Sequence, residues 1–211
     1  MSAPRERELG RLLVDYAHRV HARGWVANHD GNFTAILRRA EPGSRPRAQD
    51  VRILATPTAT SKADVTLDSL LVVNLDGERI VGHTRAFGEL TLHLCVYQNR
   101  DDVGAVVHAH PPHATALACS GSRLLDAPFL PEAVVSLGPR VPTVPFAPPG
   151  APARQALAPF VRDFDAVLLA NHGALAWGRD LEQAYLRLEL VEHVARIALL
   201  AVPTGGVVPL S

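Results

Sequence analysis

The chain has 211 residues, and its 21 basic and 21 acidic side chains give a formal net charge of zero. Its 47% hydrophobic content excludes a disordered or fibrous protein and predicts a single domain over residues 1–211. A neutral chain lacks the basic face that nucleic acid binding usually needs. The amino terminus is charged and no apolar run has the length of about 18 residues that a membrane helix needs, so we expect a cytoplasmic protein without a membrane partner. Lys62 is the only lysine beside ten histidines and two cysteines, which favours histidine chemistry.

The first third of the chain predicts one helix followed by short strands. Leucines and valines recur at helical spacing over residues 5–23, and Gly24 follows at the position of a C-cap. Apolar runs then predict strands at Phe33 to Arg38, Val51 to Ala55, Leu70 to Leu75 and Glu78 to Val81. We expect Glu41 to Gln49 to form an exposed hairpin loop, and Asp76-Gly77 to form a tight turn.

The rest of the chain alternates helical and strand patterns. Helices are predicted at Glu89 to Tyr97, from Pro111-Pro112 to Cys119, at residues 153–162 and at Leu181 to Ala201. Strands are predicted at Val103 to His110, near Val144, at Ala166 to Ala170 and at Ala174 to Trp177. The hairpins and the missing βαβ rhythm favour an α/β fold with a mixed sheet flanked by helices.

Two histidines close the apolar run VGAVVHAH. His108 and His110 are two residues apart, so their imidazoles point to the same side of a strand and could form half of a metal site. The same pattern also fits one histidine that ends a strand and another on the surface.

A third histidine lies in the reversal LLANHGALAWG. Gly173 is expected to have a positive φ, and Asn171 can bond its own backbone in the turn around His172. An ordinary hairpin tip would also explain this turn.

Glu89 is a candidate acid/base residue at the predicted start of a helix. Its charge suits the helix dipole, which is a complete structural explanation. Gly88 before it would permit close approach of a ligand, and a carboxylate beside a metal can bind the ion or accept a substrate proton. His93 is expected behind the ligands or in the core. His113 is a further candidate to support them.

The chain resembles the class II aldolase/adducin family. The resemblance runs from about Leu12 to Ala201 and is carried by GWVANHDGNFTAILRR, ATPTATSKADVT, RAFGELTLHLCVY, VVHAHPPHATALA, VPTVPFAPPG and LLANHGALAWG. It implies a three-layer α/β/α sandwich with a central, mainly antiparallel mixed sheet, assembled as a homotetramer.

The resemblance also implies a site and a reaction. His108, His110 and His172 would bind one divalent ion per subunit, Zn²⁺ first and Mn²⁺, Fe²⁺ or Co²⁺ as alternatives, with Glu89 as acid/base residue and further ligand. The function implied is a lyase that cleaves a carbon–carbon bond of a small-molecule substrate through a metal-stabilised enediolate. No Schiff-base lysine is needed, and Lys62 lies in a polar segment typical of a loop.

Departures from the family pattern affect the candidate substrate residues. The family's Gly-Asn pair is present as Gly31-Asn32, but its Thr-Gly pair is Thr58-Ala59 and its Ser-Ser pair is Phe87-Gly88. The lost hydroxyls and the negative charge of Asp30 leave a phosphorylated substrate in question. A differently built anion site from Thr58, Ser61, Lys62 and Arg85 is the alternative.

The reaction type is also left open. The segment LLDAPFLPEAVV has Phe129 where aldolases use a tyrosine as proton donor, which weakens aldol cleavage of a sugar phosphate and leaves decarboxylation of a hydroxy- or catechol-type acid as an alternative. Phe87 and Phe129 would suit such a substrate, although both are also typical core residues. A non-catalytic adducin-like binding module is disfavoured by the retained histidines and Glu89, and a cupin by the order of its ligands.

Overall fold

One eight-stranded sheet organises the protein. The computed structural model describes residues 4–38 and 48–210, and the predicted loop Glu41 to Gln49 lies almost entirely outside them. The strand order is β4-β3-β2-β1-β5-β8-β7-β6. Every neighbouring pair is antiparallel except β6 and β7, which confirms the mainly antiparallel mixed sheet.

The elements follow the sequence prediction closely. The strands are β1 (Asn32–Arg38), β2 (Arg52–Ala55), β3 (Leu71–Val73), β4 (Arg79–Val81), β5 (Ala105–Ala109), β6 (Thr143–Val144), β7 (Ala166–Leu169) and β8 (Gly173–Gly178). The helices are α1 (Pro4–Ala22), α2 (Leu90–Asn99), α3 (Pro112–Ser120), α4 (Pro131–Leu137), α5 (Ala151–Val161) and α6 (Leu181–Ala201). No helix within the described ranges is long and apolar enough to cross a membrane.

Helices cover both faces of the sheet, as the sandwich prediction requires. One core joins the sheet to α1, α3, α4 and α6, and a second core joins its other face to α2 and α5. Strand β5 shows how the pleat separates them, because Val107 belongs to the first core and Val106 to the second. His108 is two residues from Val106 along the strand, so its side chain lies on the same face of the sheet, the face covered by α2.

Two local features differ from the prediction. Helix α4 was not predicted, because its seven residues are too few to show a helical period; Pro131 begins it and Gly138, with φ of 88°, ends it. The predicted two-residue turn at Asp76-Gly77 is a longer loop. The Oδ1 atom of Asn74 accepts hydrogen bonds from the backbone N–H groups of Asp76 and Glu78, which shortens both strands.

A chain of buried polar groups crosses the α2 side of the sheet. The Oδ1 atom of Asn32 can only accept, so His93 Nε2 donates to it over 2.7 Å. The other ring nitrogen of neutral His93 therefore accepts from the hydroxyl of Thr34 over 2.8 Å. The hydroxyl of Tyr97 completes the chain 2.8 Å from that of Thr34. These bonds fix the tautomer of His93 and the orientation of the Asn32 amide.

The buried state of His93 predicts a pH-dependent stability. Burial, helped by the charge of His108, lowers the pKa of His93 from 6.5 to about 3. The unfolded chain therefore binds the proton more strongly, so stability present above pH 6.5 is lost as the pH falls toward 3. We expect the free energy of unfolding near pH 5 to fall by about 1.3 kcal/mol per pH unit more in wild type than in His93→Gln. Denaturant unfolding at pH 7, 6 and 5 measures both slopes, and equal slopes would contradict this account.

Candidate metal and catalytic site

Three histidines from two neighbouring strands meet at one edge of the sheet. His108 lies in β5, His110 lies just beyond it, and His172 lies in the turn between β7 and β8. Because β5 pairs antiparallel with β8, with Ala109 opposite Ala174, the turn before β8 stands beside the end of β5. One nitrogen of each imidazole lies within 4.8 Å of the others. In the described part of the chain, this is the one group of three or more His, Cys, Asp or Glu side chains placed to hold a metal ion.

The turn that carries His172 differs in detail from the prediction. The positive φ belongs to Asn171, at 58°, and Gly173 is absent from the positive-φ residues. Asparagine tolerates this region better than most residues. Gly173 is needed for space instead, because a Cβ there would lie 2.6 Å from the carbonyl oxygen of Ala109 and from Cδ2 of His110. A side chain at this glycine would push β5 and its histidines away.

Backbone contacts orient the ring of His108. Its Nδ1 atom donates to the carbonyl of Ala174 over 2.9 Å, so the lone pair of neutral His108 is on Nε2. This Nε2 atom lies 3.1 Å from Nε2 of His110. Two nitrogen ligands at about 2.0–2.1 Å from a tetrahedral zinc ion would be about 3.3 Å apart, so the spacing fits a metal site.

Glu89 faces the histidines, not its own helix. It precedes α2, which begins at Leu90, and its side chain makes no capping bond. Its position at the N-cap still suits the helix dipole, but its contacts are with the histidines. Its Oε1 atom lies 2.7 Å from Nε2 of His172 and its Oε2 atom 3.4 Å from Nε2 of His108.

Glu89 is ionised in this arrangement. Burial by itself would raise its pKa, but the charge of His108 and the hydrogen bond from His172 outweigh burial and lower the pKa. The same hydrogen bond raises the pKa of His172. Burial lowers the pKa of His108 to about 4 and also lowers that of His110. Neutral imidazoles and a carboxylate together suit a divalent cation.

Gly31 and Asn32 link the buried polar chain to this group. Asn32 Nδ2 donates to Glu89 Oε2 over 2.6 Å. Gly31 has a φ of 73°, and a Cβ there would lie 2.6 Å from Val26 and 3.0 Å from the carbonyl oxygen of His108. The glycine thus lets the loop before β1 approach the end of β5.

Three of the remaining candidate substrate residues, Thr58, Ala59 and Gly88, are exposed or half-buried. Gly88 is exposed, with no atom within 4 Å of an added Cβ. Ala59 is exposed and has a φ of 53°, so the Thr58-Ala59 turn has a glycine-like backbone although alanine occupies it. Thr58 is half-buried, and its N–H donates to the carbonyl of Arg85.

The structure corrects the prediction that Phe87 and Phe129 line the substrate site. Phe87 is 8% exposed, and its ring contacts His93 edge-on at 5.1 Å in the core on the α2 side. Phe129 packs against the core on the α6 side. The two rings lie on opposite faces of the sheet because their segments join different layers, so within one chain they do not line one subsite together.

The structure also places Lys62 and His113. Lys62 lies in a turn, as its polar segment predicts, but its side chain is 1% exposed, and that segment gives no indication of this burial. His113 does not support the triad. Its Nδ1 atom lies 2.7 Å from Oε1 of Glu192. At the start of α3, the N–H of His113 donates to the same oxygen and the N–H of Ala114 donates to Oε2.

Asp30 is a contact that sequence reasoning missed. Its Oδ2 atom lies 3.6 Å from Nδ1 of His110, opposite the nitrogen that faces His108. A carboxylate behind a histidine is the arrangement that commonly orients a metal ligand. The sequence signal was the HDGN segment, which was interpreted only as a charge that repels phosphate.

Comparisons with known proteins identify the family of this chain. Residues 11–199 match the family model described as Class II Aldolase and Adducin N-terminal domain. A 3-oxo-tetronate 4-phosphate decarboxylase of Pectobacterium atrosepticum is 34% identical over 179 residues, which cover 83% of this chain and 76% of that protein. An L-fuculose phosphate aldolase of Methanococcus maripaludis is 31% identical, with 89% and 90% covered. The crystal structure of YgbL from Escherichia coli superposes with a TM-score of 0.84 at 30% identity, over 98% of this chain and 95% of that one.

These relatives and the histidine triad together indicate a divalent metal site. The α/β sandwich excludes the all-β cupin alternative, and the similarity to curated lyases argues against a non-catalytic module. The chain therefore belongs to the class II aldolase and adducin family, and it is a carbon–carbon lyase of that family.

Proposed function

We propose that this protein is a Zn²⁺-dependent decarboxylase of a small phosphorylated 3-oxo acid. The observation that carries the proposal is the meeting of three imidazole nitrogens with the ionised carboxylate of Glu89. The similarity to 3-oxo-tetronate 4-phosphate decarboxylases supports the substrate class.

His108, His110 and His172 would hold the ion, and Glu89 would be a further ligand until substrate displaces it. A bound divalent ion supplies Lewis acidity toward carbonyl and hydroxyl oxygens. Zinc is proposed first because neutral imidazoles at this spacing suit its tetrahedral geometry, although the same donor set accepts other first-row metals.

Glu89 would move the proton. Loss of CO₂ from a 3-oxo acid leaves the electron pair of the broken bond on C2, conjugated with the neighbouring carbonyl group. A proton must then reach C2, and Glu89 would relay it there from solvent, with one proton consumed for each CO₂ released. Asn32 would orient the carboxylate of Glu89 by donating a hydrogen bond to it, because the amide of Asn32 is itself fixed by the bond from His93.

Aldol cleavage of a sugar phosphate is the second candidate, supported by the L-fuculose phosphate aldolase relatives. The tyrosines of this chain argue for decarboxylation. Tyr16 and Tyr185 pack against each other at 4.8 Å in the core on the α6 side, and Tyr97 bonds Thr34. Decarboxylation needs no acid for a departing aldehyde, so it is compatible with this arrangement.

Substrate would lie between the loops around Glu89. We propose Gly31, Asn32, Thr58, Ala59 and Gly88 as the substrate-binding residues, with the open backbone at Gly88 and the Thr58-Ala59 turn facing the phosphate. Phe87 contributes core packing beneath them.

We propose that the chain is a single domain, that four copies assemble as a homotetramer, and that the protein is cytoplasmic. Exposed apolar side chains support burial against another subunit, among them Leu200 and Val202 at the end of α6 and Val208 beyond it. Light scattering after size exclusion measures the subunit number.

Metal retention tests the ligand assignment. We expect wild type to retain about one divalent ion per chain after dialysis and His110→Ala to lose it, because two imidazoles bind far more weakly than three. His113→Ala is the matched control, since His113 lies three residues along and bonds Glu192. Elemental analysis reads the ion content. Full occupancy in His110→Ala would remove that histidine from the site.

Turnover tests the acid/base residue and the reaction together. We expect metal-loaded wild type to release CO₂ from a 3-oxo-4-phosphotetronate, and Glu89→Gln to lose about 10²–10⁴-fold in kcat. Melting temperature and metal content of the variant serve as controls for folding and ion binding. Unchanged turnover would exclude Glu89 as the proton carrier. Cleavage of a ketose 1-phosphate without CO₂ release from the oxo acid would favour the aldolase.

A further inference from the structure

Among the residues that the structure describes, Lys62 is the one buried lysine or arginine, and the proposed mechanism leaves it without a role. The chain has 21 basic residues and Lys62 is the only lysine among them. Its side chain is 1% exposed. A buried ammonium is costly unless its donors are satisfied and opposite charge is near, so its position needs an explanation.

The hydrogen bonds of Lys62 join the two loops that carry proposed substrate residues. Its Nζ donates to the carbonyl of Thr60 over 2.8 Å and to that of His29 over 3.3 Å. Thr60 follows Thr58-Ala59, and His29 precedes Gly31-Asn32. An ammonium has three N–H donors, so these two bonds leave one donor for a further acceptor.

The charge of Lys62 acts on the site. Burial lowers its pKa to about 8, while the carboxylates of Asp30 and Glu89 oppose that shift. These two acidic groups also lie against the triad, with Asp30 3.6 Å from His110 and Glu89 2.7 Å from His172. The positive charge of Lys62 therefore offsets part of the negative charge of Asp30 and Glu89 that an anionic substrate would meet.

The choice of lysine is informative in a chain otherwise rich in arginine. An ammonium on a flexible stem is satisfied by a few carbonyls in a small space. A planar guanidinium carries five donors and needs a larger set of acceptors. The site therefore holds a compact charge between two backbone carbonyls.

We propose that Lys62 is a positioning residue that fixes the Gly31-Asn32 and Thr58-Ala59 loops relative to each other and balances Asp30 and Glu89, so that the site accepts the phosphate of the substrate. The proposal rests on the proposed function for the identity of the substrate. It does not depend on which carbon–carbon bond is cleaved.

The first test compares Lys62→Met with wild type. Methionine keeps most of the side-chain length and removes the charge. We expect the KM for the phosphorylated oxo acid and the inhibition constant of inorganic phosphate to rise about 10- to 100-fold, the effect of losing one charged interaction. We expect kcat to change less than about threefold and metal content to stay the same. Arg123→Met, at a side chain that is 87% exposed, controls for loss of a positive charge.

A second measurement uses wild type alone and needs neither turnover nor a folded variant. Because Lys62 is the only lysine, protein labelled with ¹³Cε-lysine gives one lysine ε-carbon resonance. We expect inorganic phosphate to shift this resonance saturably, and acetate at the same ionic strength to leave it in place.

The outcomes separate the two proposals. A wild type that binds phosphate with a shifted lysine signal but turns over neither substrate refutes the proposed function and supports the role of Lys62. A resonance that phosphate leaves unmoved, a shift with acetate only, or a folded Lys62→Met with unchanged phosphate inhibition would overturn the role of Lys62.

Discussion

The site depends on the buried amide of Asn32. It accepts from His93 and donates to Glu89, so one side chain at the start of β1 connects the core beneath α2 to the carboxylate that faces the histidines. Strand β1 lies between β2 and β5 in the centre of the sheet, and Asn32 stands opposite His108 in the ladder. The position of the carboxylate relative to the imidazoles is thus set by strand pairing and by a buried chain of hydrogen bonds.

Strand register also brings the histidines together. His108 and His110 are close because a pleated strand returns to the same side every second residue. His172 joins them because β8 pairs with β5, and Gly173 removes the side chain that would hold the two strands apart. A divalent ion held by these three imidazoles would lie beside the carboxylate of Glu89. The strand register therefore provides a compact donor set that a divalent ion would fit.

Many of the candidate site residues were predictable from local sequence patterns. The HAH and NHG segments and Glu89 could be chosen from sequence because each combines a polar side chain with an apolar element end, and the family resemblance put them together. The burial of Lys62 was not predictable, since a polar segment such as TATSKADVT gives no sign of which loop covers it. The positive φ at Asn171 and the contact of His113 with Glu192 likewise depend on tertiary packing. The separation of Phe87 from Phe129 depends on which layer each segment joins, which residue spacing does not encode.

The central claim is that the three imidazoles form one metal site beside Glu89. Anomalous X-ray diffraction from crystals of zinc-loaded protein, collected above and below the zinc absorption edge, tests it most directly. The account predicts one anomalous peak at about 2.0–2.1 Å from a nitrogen of each of His108, His110 and His172. A zinc peak at another place, such as His113 and Glu192, with none between the three histidines, would contradict it.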